Sequence, residues 1–468
     1  MTLTQRLKSL FGAQDMTIGS PLSCLLKFSI PLLIGNLAQQ LYNTVDAIVI
    51  GQSSWGDQGL AAVGLAGPIV NLLLVLFMGI STGASILSAQ YFGAKDRPTL
   101  NKCVGASMFL IVVSGLIMMV AGYFLSPMLI GLTTPPSPEV GRGATEYLQI
   151  FFLGIIGSGM YNIISGILRG LGDSMMPLLF LVVACVLNIF LDLAFVDSMG
   201  VAGVALATII AQGVSAVLCL LRICHIRHIC DVKMKHILHP DRLLMLKIGA
   251  LGLPSGITQA IFSMSAIIVQ SLTNTLGDAM VAANTAIMRV DGFAMMPNFT
   301  FGTAATTFIG QNVGAGRAER LKPGVKAMLM LGLISSTVLV GAILLFGNSI
   351  IGWFTQTPLT IQLGVQGLQT LALGYICFSV TQVLQGTMRG AGETKLPMYI
   401  SIIGTVVLRM PLAYIMAYFT RNEQWPNGQP IALFGSLLIS WVISMLMTIV
   451  SYRMKFWRRK LGSLGDAL

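Results

Sequence analysis

The chain has 468 residues, of which 55% are hydrophobic and 10% charged, whereas charged residues make up roughly 25% of ordinary soluble domains. So small a fraction of charged residues cannot cover a water-facing surface. The composition therefore excludes an ordinary soluble enzyme, a disordered protein and a nucleic-acid-binding protein. The net charge is +11. In a membrane protein, the positions of the basic residues along the chain matter more than this total, because they indicate the orientation of the spans. The seven cysteines are scattered mostly through apolar segments and indicate no disulfide framework.

Twelve stretches are apolar enough for transmembrane helices, each of which needs about 20 mostly apolar residues. No charged residue occurs between Cys103 and Ser137 or between Ala327 and Met388, and the second stretch is long enough for two spans. The sequence therefore predicts an all-α, polytopic membrane protein. In chain order, the predicted spans are residues 22–52, 60–92, 103–131, 143–168, 174–196, 200–221, 248–276, 280–312, 327–352, 362–388, 396–420 and 430–452.

The basic residues indicate the orientation of these spans. All but four of the 28 lysines and arginines lie in the tails, at the membrane edge beside them, or in loops on the same side of the membrane. The exceptions are Arg142 and Arg421 in opposite-side loops and Arg289 and Arg409 inside spans. Basic loops favour the cytoplasm. We therefore predict a multi-pass protein of the plasma membrane, the inner membrane of cells that have two, with both termini cytoplasmic.

Three sequence blocks recur, which indicates an internal duplication. The halves are predicted to be six-helix bundles at residues 1–221 and 248–468, joined by a cytoplasmic linker at 222–247, and the second ends in a basic cytoplasmic tail. Because six is even, a pseudo-two-fold axis along the membrane normal should relate them. The blocks are Gly56-Asp57 and Gly277-Asp278, Gln90-x-x-Gly93-Ala94 and Gln311-x-x-Gly314-Ala315, both at an offset of 221, and Gly166-x-x-Arg169-Gly170-x-Gly172-Asp173 and Gly386-x-x-Arg389-Gly390-x-Gly392-Glu393, at 220.

Acids inside predicted spans are functional candidates, since a charge at membrane depth costs about 2.5 kcal/mol or more. Asp46 in the first span and Asp192 in the fifth lie at the same predicted depth. Asn188 lies one turn deeper than Asp192, and Thr208 in the sixth span lies at a similar depth. Oxygen ligands of this kind suit a proton or a small cation. A purely structural polar network is the alternative.

The first span adds two polar residues and a proline to this set. Gln39, Tyr42 and Asp46 lie on one face of a helix, because they are spaced at i, i+3 and i+7. Pro31 in the same span is predicted to kink the helix. The predicted cation-binding and coupling residues are Asp46, Asn188, Asp192, Thr208, Gln39 and Tyr42.

The second half has a different set of polar residues near the membrane midplane. Arg289 and Asp291 are two residues apart and point to different sides of a helix, so we expect Asp291 to pair with Arg409. Together with Met288 in a methionine-rich region, these residues form either a structural ion pair or part of a substrate cleft. The linker holds all four histidines, but their spacing fits no common zinc pattern, so we predict no metal site.

Taken together, these motifs resemble the multidrug and toxic compound extrusion (MATE) transporters over essentially the whole chain. The resemblance implies two six-helix bundles around a central cleft, with the six polar residues named above as an amino-terminal cation site. The seventh span has no acid between Pro254 and Gly277, so the chain resembles the DinF-like branch more than the NorM-like branch. The matching residues are Pro31, Gln39, Val45-Asp46, Gln90-x-x-Gly93-Ala94, the Gly166 and Gly386 blocks, Asn188-x-x-x-Asp192, Gly200-x-x-Gly203 and Thr208.

The predicted function is secondary active antiport by alternating access, which exports amphipathic and cationic drugs and toxic compounds in exchange for H⁺ or Na⁺ and so confers antibiotic resistance. No catalytic nucleophile, catalytic metal or nucleotide-binding motif is present in the sequence, so we expect neither an enzyme nor a cofactor beyond the coupling ion. The expected partners are small amphipathic molecules and the lipid bilayer, with no nucleic acid, and we expect a monomer. A lipid-linked oligosaccharide flippase is the alternative, but such a protein needs a more basic cleft.

Overall fold

The computed structural model describes residues 13–53, 55–133, 135, 137–423, 425–454, 458 and 461, and every regular element within these ranges is helical. This confirms the all-α fold. The first seven helices are α1 (Pro21–Gln52), α2 (Gly56–Gly93), α3 (Arg97–Gly131), α4 (Pro138–Leu153), α5 (Ile155–Gly170), α6 (Met175–Met199) and α7 (Val201–His225). The remaining helices are α8 (Met234–Leu238), α9 (Arg242–Asn274), α10 (Asp278–Gly314), α11 (Ala318–Gly352), α12 (Pro358–Gly390), α13 (Lys395–Ile402), a π-helical segment (Ile403–Arg409), α14 (Met410–Phe419) and α15 (Ile431–Arg453).

Each predicted span coincides with a helix or with consecutive helices. Within the described ranges, however, only 10 continuous helical stretches are long and apolar enough to cross a membrane, and the number is 11 if a bent pair of helices is counted as one span. The predicted eighth span corresponds to α10, which has 37 residues but is less apolar than its neighbours. Its polar residues include Asn284, Asp291 and Asn298. The structure therefore supports a multi-pass membrane protein in which α10 is the most polar of the long helices that were predicted to span.

The predicted fourth span is broken at Gly154 into α4 and α5, which meet at an angle of 54°. Gly154 also allows a close helix contact, because a Cβ atom there would lie 2.3 Å from Cβ of Ile209 on α7. The sequence predicted a single continuous helix here. Apolar character alone does not indicate such a bend, because Gly154 lies within residues 150–157, an uninterrupted apolar run.

The described chain divides into two units, each with its own apolar core. The first contains residues 13–18 and 26–256, and the second contains residues 19–25 and the described residues from 257 onward. The boundary lies within α9, and the predicted linker at 222–247 belongs to the first unit. The first part of α9 belongs to the first unit because it packs closely on α2. A Cβ atom on Gly252 of α9 would lie 2.4 Å from the carbonyl oxygen of Gly79 on α2.

Large apolar side chains also lie on the outside of the helices. Phe124 is 75% exposed, and Leu345 and Phe419 are each 79% exposed. A water-soluble protein rarely presents large apolar surfaces of this kind. These exposed side chains are stable in contact with lipid. The all-helical fold agrees with this, because helices satisfy their own backbone hydrogen bonds and can therefore cross a bilayer.

The third duplicated block, which begins at Gly166 and at Gly386, forms the same turn in both units. After α5, the amide of Asp173 donates to the carbonyl of Leu168 at 2.8 Å, and after α12, the amide of Glu393 donates to Met388 at 2.9 Å. Gly172 and Gly392 have φ values of +84° and +90°, a region that strongly favours glycine. The recurring glycines are therefore required by the turn, which explains why this block is recognisable in both halves.

The acidic residue of this turn contacts the start of the following helix in both units. Asp173 accepts a hydrogen bond from the amide of Met176 on α6, and Glu393 accepts hydrogen bonds from the amides of Lys395 and Leu396 at the start of α13. Asp173 is fully buried and also forms an ion pair of 2.8 Å with Arg222 at the end of α7. Burial raises the pKa of the Asp173 carboxyl, while the neighbouring Arg222 acts in the opposite direction.

We expect Asp173→Asn to destabilise the protein more than Glu393→Gln does. Breaking a buried ion pair by removing one partner typically costs about 3–5 kcal/mol in soluble proteins. The amide oxygen of glutamine, in contrast, can still accept the two backbone hydrogen bonds that Glu393 accepts. Thermal denaturation of the two purified variants in the same detergent measures the difference. Equal losses of stability would contradict the importance of the ion pair.

Candidate functional site

Helices α1 and α6 bring together three of the six residues predicted to form the cation site. With the amide of Asn188 oriented by its neighbours, its nitrogen donates to Oδ1 of Asp46 at 2.6 Å and to Oδ2 of Asp192 at 3.2 Å. The two carboxyl groups are therefore bridged by one amide group. Asn188 and Asp192 are fully buried, and Asp46 is half-buried. This arrangement is called the acid pair below.

The contacts within the acid pair leave room for an additional ligand. Oδ1 of Asp192 is buried and has no hydrogen-bond partner among the described residues. A buried carboxylate oxygen without a partner is costly. A proton on one of the two carboxyl groups, or a cation between them, would supply the missing interaction.

The other predicted members of the site lie on α1 and α7. Thr208 is buried, and its hydroxyl donates to the carbonyl of Val204 at 2.9 Å, so its oxygen lone pairs remain able to bind a cation. Gln39 is half-buried on α1. The side chain of Tyr42 lies outside the described residues, and its predicted role stays a prediction.

Pro31 is buried within α1, and the helix continues on both sides of it. Proline removes one backbone hydrogen bond from a helix interior. The residue therefore weakens α1 without ending it, 15 residues before Asp46. The kink that the sequence predicts here remains a prediction.

Tyr147 on α4 is a neighbour of the acid pair that the sequence did not identify. It interacts electrostatically with both Asp46 and Asp192, and its ring stacks on Phe151 with centroids 6.4 Å apart. A tyrosine in a mostly apolar span was the available signal. Its position relative to α1 and α6 depends on how α4 packs, which span depth alone does not determine.

Within the described ranges, no group of three or more histidine, cysteine, aspartate or glutamate side chains could hold a metal ion. The acid pair contributes two carboxylates, and the residues around it contribute neutral oxygen and nitrogen atoms. Such donors can exchange a proton or bind a small cation reversibly.

The second unit places its polar midplane residues differently from the expected ion pair. Asp291 accepts a hydrogen bond from the hydroxyl of Tyr375 on α12. Arg409 donates to Oγ of Ser265 at 3.3 Å, and no ion pair joins these two described residues. Tyr375 is fully buried and lies closer to Asp291 than the arginine does, which explains the different partner.

A cavity of about 290 Å³ lies within the second unit, and we call it the second-unit cavity. Met288, Asp291 and Arg409 contribute to its wall, whereas Arg289 is exposed and is not part of the lining. Five amide side chains and five aromatic side chains also line it: Gln259, Gln270, Asn284, Gln382 and Gln385, and Phe262, Phe299, Phe378, Phe434 and Trp441.

Comparison with known proteins identifies the family. The sequence model of the MatE family matches residues 31–194 and 254–415, one segment in each half of the chain. The chain therefore belongs to the MatE family, whose members are membrane transporters and not enzymes. The two matched segments also agree with the internal duplication.

Several curated relatives match nearly the full chain. The probable multidrug resistance protein YpnP of Bacillus subtilis is 30% identical over 95% of this chain and 98% of its own length. YoeA of the same organism, also called a probable multidrug resistance protein, is 28% identical over 92% of this chain and 93% of its own. A probable multidrug resistance protein NorM of Thermotoga maritima is 27% identical over 84% of this chain and 85% of its own. The DinF-like assignment stays a prediction.

Solved structures of this family share the fold. A crystal structure of MATE in complex with MaL6 has a TM-score of 0.87 and 24% identity, covering 97% of this chain and 99% of that one. An outward-facing multidrug resistance MATE transporter has a TM-score of 0.86 and 24% identity, covering 97% and 99%. At this identity the likeness establishes the fold alone.

We expect Asn188→Ala to weaken ion binding by about tenfold or more, because hydrogen bonds to charged groups contribute about 1.5–3 kcal/mol. Asn162→Ala is the matched control, since the Asn162 amide nitrogen donates to the carbonyl of Ser158 on its own helix at 2.8 Å. The measurement is the thermal stabilisation of each purified variant as Na⁺ concentration and pH are varied. An unchanged ion response in Asn188→Ala would remove the amide from the site.

Proposed function

We propose that this protein is a secondary active antiporter that exports amphipathic and cationic drugs and toxic compounds in exchange for H⁺ or Na⁺. The observation that carries the proposal is the acid pair, in which the amide of Asn188 lies against both Asp46 and Asp192. Two carboxyl groups bridged by one amide inside a membrane unit are costly unless a proton or a cation is shared between them. A reversible site for the coupling ion explains why such a pair is present.

Ion binding would drive transport by changing the charge buried in the first unit. With H⁺ or Na⁺ bound, the acid pair is partly neutralised, and without it the carboxylates need water or another ligand. An ion that binds one conformation more tightly than another shifts the equilibrium between them, which is the basis of alternating access. A membrane potential of 100 mV adds about 2.3 kcal/mol for each charge that moves inward.

The names of the relatives support export of drugs as the function. YpnP, YoeA and the Thermotoga maritima NorM are each described as a probable multidrug resistance protein. These relatives give no support to the lipid-linked oligosaccharide flippase. We extend the proposal to a monomer in the plasma membrane with both termini cytoplasmic, because the basic residues are concentrated on one side.

Asp46→Asn and Asp192→Asn are each expected to abolish ion-coupled efflux while leaving protein in the membrane. An amide has nearly the shape of a protonated carboxyl group, but it cannot release a proton at physiological pH and lacks the negative charge that attracts a cation. Asp197→Asn is the control, since Asp197 lies five residues after Asp192 on α6 and is exposed. The measurement is dye efflux from proteoliposomes under an imposed pH gradient or Na⁺ gradient, normalised to protein content.

The two gradients also identify the coupling ion. Efflux that follows the pH gradient alone indicates H⁺, and efflux that follows the Na⁺ gradient alone indicates Na⁺. If Asp46→Asn retains full efflux with unchanged ion dependence, the acid pair is not the coupling site.

A further inference from the structure

We propose that Arg409 is an anion-binding residue of the second-unit cavity, where its guanidinium binds the carboxylate of an aromatic ligand and Asp291 faces that ligand's positive charge. This inference rests on the proposed function, since it specifies which amphipathic molecules the transporter would accept. Cationic molecules alone would give the basic group of Arg409 no role in this cavity, whereas a ligand with a carboxylate does.

Arg409 has an N–H group that no described residue accepts. It belongs to the cavity wall, and its Nε is buried without a hydrogen-bond partner among the described residues. One Nη donates to the hydroxyl of Ser265 at 3.3 Å, a long contact with a neutral group. A guanidinium presents five N–H donors in a planar fork that matches a carboxylate, so a carboxylate in the cavity could accept two hydrogen bonds at once.

The position of Arg409 results from an unusual backbone. It is the last residue of the π-helical segment Ile403–Arg409, within the stretch predicted to be the eleventh span. π-helical turns are rare and frequently occur at functional sites. Gly404 in the same segment lines the cavity and lies against α15, because a Cβ atom there would be 2.1 Å from Oγ of Ser444.

Asp291 does not neutralise Arg409 by direct contact. The two groups interact electrostatically, but Asp291 is held by the hydroxyl of Tyr375 and the pair forms no salt bridge. The cavity wall therefore presents one acidic and one basic group that are separated. A ligand with both a carboxylate and a positive charge would complement both, whereas a simple cation would leave Arg409 unpaired.

The rest of the cavity suits an aromatic body between these charges. Phe378 lies 5.5 Å from Phe299 and 5.5 Å from Trp441 between ring centroids, which forms a continuous aromatic wall. Asn284 donates to Gln270 at 3.1 Å on another part of the lining, so polar amides are already arranged there. Rings can stack on the aromatic wall while polar substituents reach the amides.

The alternative is a structural role, in which Arg409 only connects helices. Its direct hydrogen bond supports this in part, since Ser265 belongs to α9. A structural arginine would normally have its buried N–H groups satisfied by the protein. Within the described part of the chain, Arg409 departs from this pattern, because its Nε has no partner and the one hydrogen bond that its guanidinium donates is a long contact with Ser265.

The test compares two dyes that differ in a single group. Rhodamine 110 carries a carboxylate on an aromatic cation, and rhodamine 123 is its methyl ester, which lacks that negative charge. Binding to the purified full-length protein is measured by fluorescence polarisation with no ion gradient. We expect rhodamine 110 to bind about tenfold more tightly than rhodamine 123, as a charged hydrogen-bonded contact would give.

Three variants assign this preference to residues. Arg409→Gln should lower the affinity for rhodamine 110 about tenfold and leave rhodamine 123 nearly unchanged. Asp291→Asn should weaken both dyes to a similar extent, because both carry the positive charge. Arg289→Gln is the control, because it removes the same charge from the same half at an exposed position outside the cavity lining.

Several outcomes would overturn the inference. These are equal affinity of the unmodified protein for the two dyes, tighter binding of rhodamine 123, and equal weakening of both dyes by Arg409→Gln. If Arg409→Gln does not fold, the comparison on the unmodified protein still decides, and Arg409→Lys, which keeps the charge, should retain the preference for rhodamine 110. Because no gradient is applied, loss of coupled efflux in Asp46→Asn tests the proposed function separately.

Discussion

The cost of placing charge in an apolar medium is the constraint on which the polar structure of this protein depends. A carboxylate or guanidinium within a bilayer needs a partner, a proton or a ligand, since water is not available to solvate it. Just outside the predicted spans, the buried Asp173 and Arg222 compensate each other. Asp192 and Arg409 do so incompletely, because each keeps a buried polar atom that no described residue satisfies. If the proposals hold, a reversibly bound ion supplies the missing interaction in the first unit and a bound ligand supplies it in the second.

The duplicated fold gives each unit the same turns but different polar centres. The glycine-rich turns after α5 and α12 have matching backbone hydrogen bonds, so the backbone design is common to both. The first unit contains the acid pair, while the second contains a cavity with separated charges. If the proposals hold, the unit that binds the ion and the unit that selects the ligand are distinct, and both are built on one helical arrangement.

The sequence predicted the fold well because apolar runs, basic loops and repeated motifs are local signals. It also placed Asp46, Asn188 and Asp192 together, since counting inward from the loops gives the depth of a residue along its helix. Depth does not give direction around the helix axis or the identity of a packed neighbour. For that reason the sequence missed Tyr147 beside the acid pair and Tyr375 as the partner of Asp291. The break at Gly154 was likewise hidden, because residues 150–157 on both sides of it carry no polar side chain.

The π-helical segment at Ile403–Arg409 has a consequence for how this chain can change in evolution. Such a segment accommodates one more residue in its turn than an α-helix does. The wider turn absorbs that residue locally, so loss of a single codon here would restore a regular helix with little rotation of Met410–Phe419. The side chains within the segment, Arg409 among them, would be reoriented. Elsewhere in the span, a one-residue deletion would rotate everything that follows by roughly 100°, given 3.6 residues per turn. We therefore expect related transporters to differ in length by one residue more readily in this segment than in the regular helices beside it.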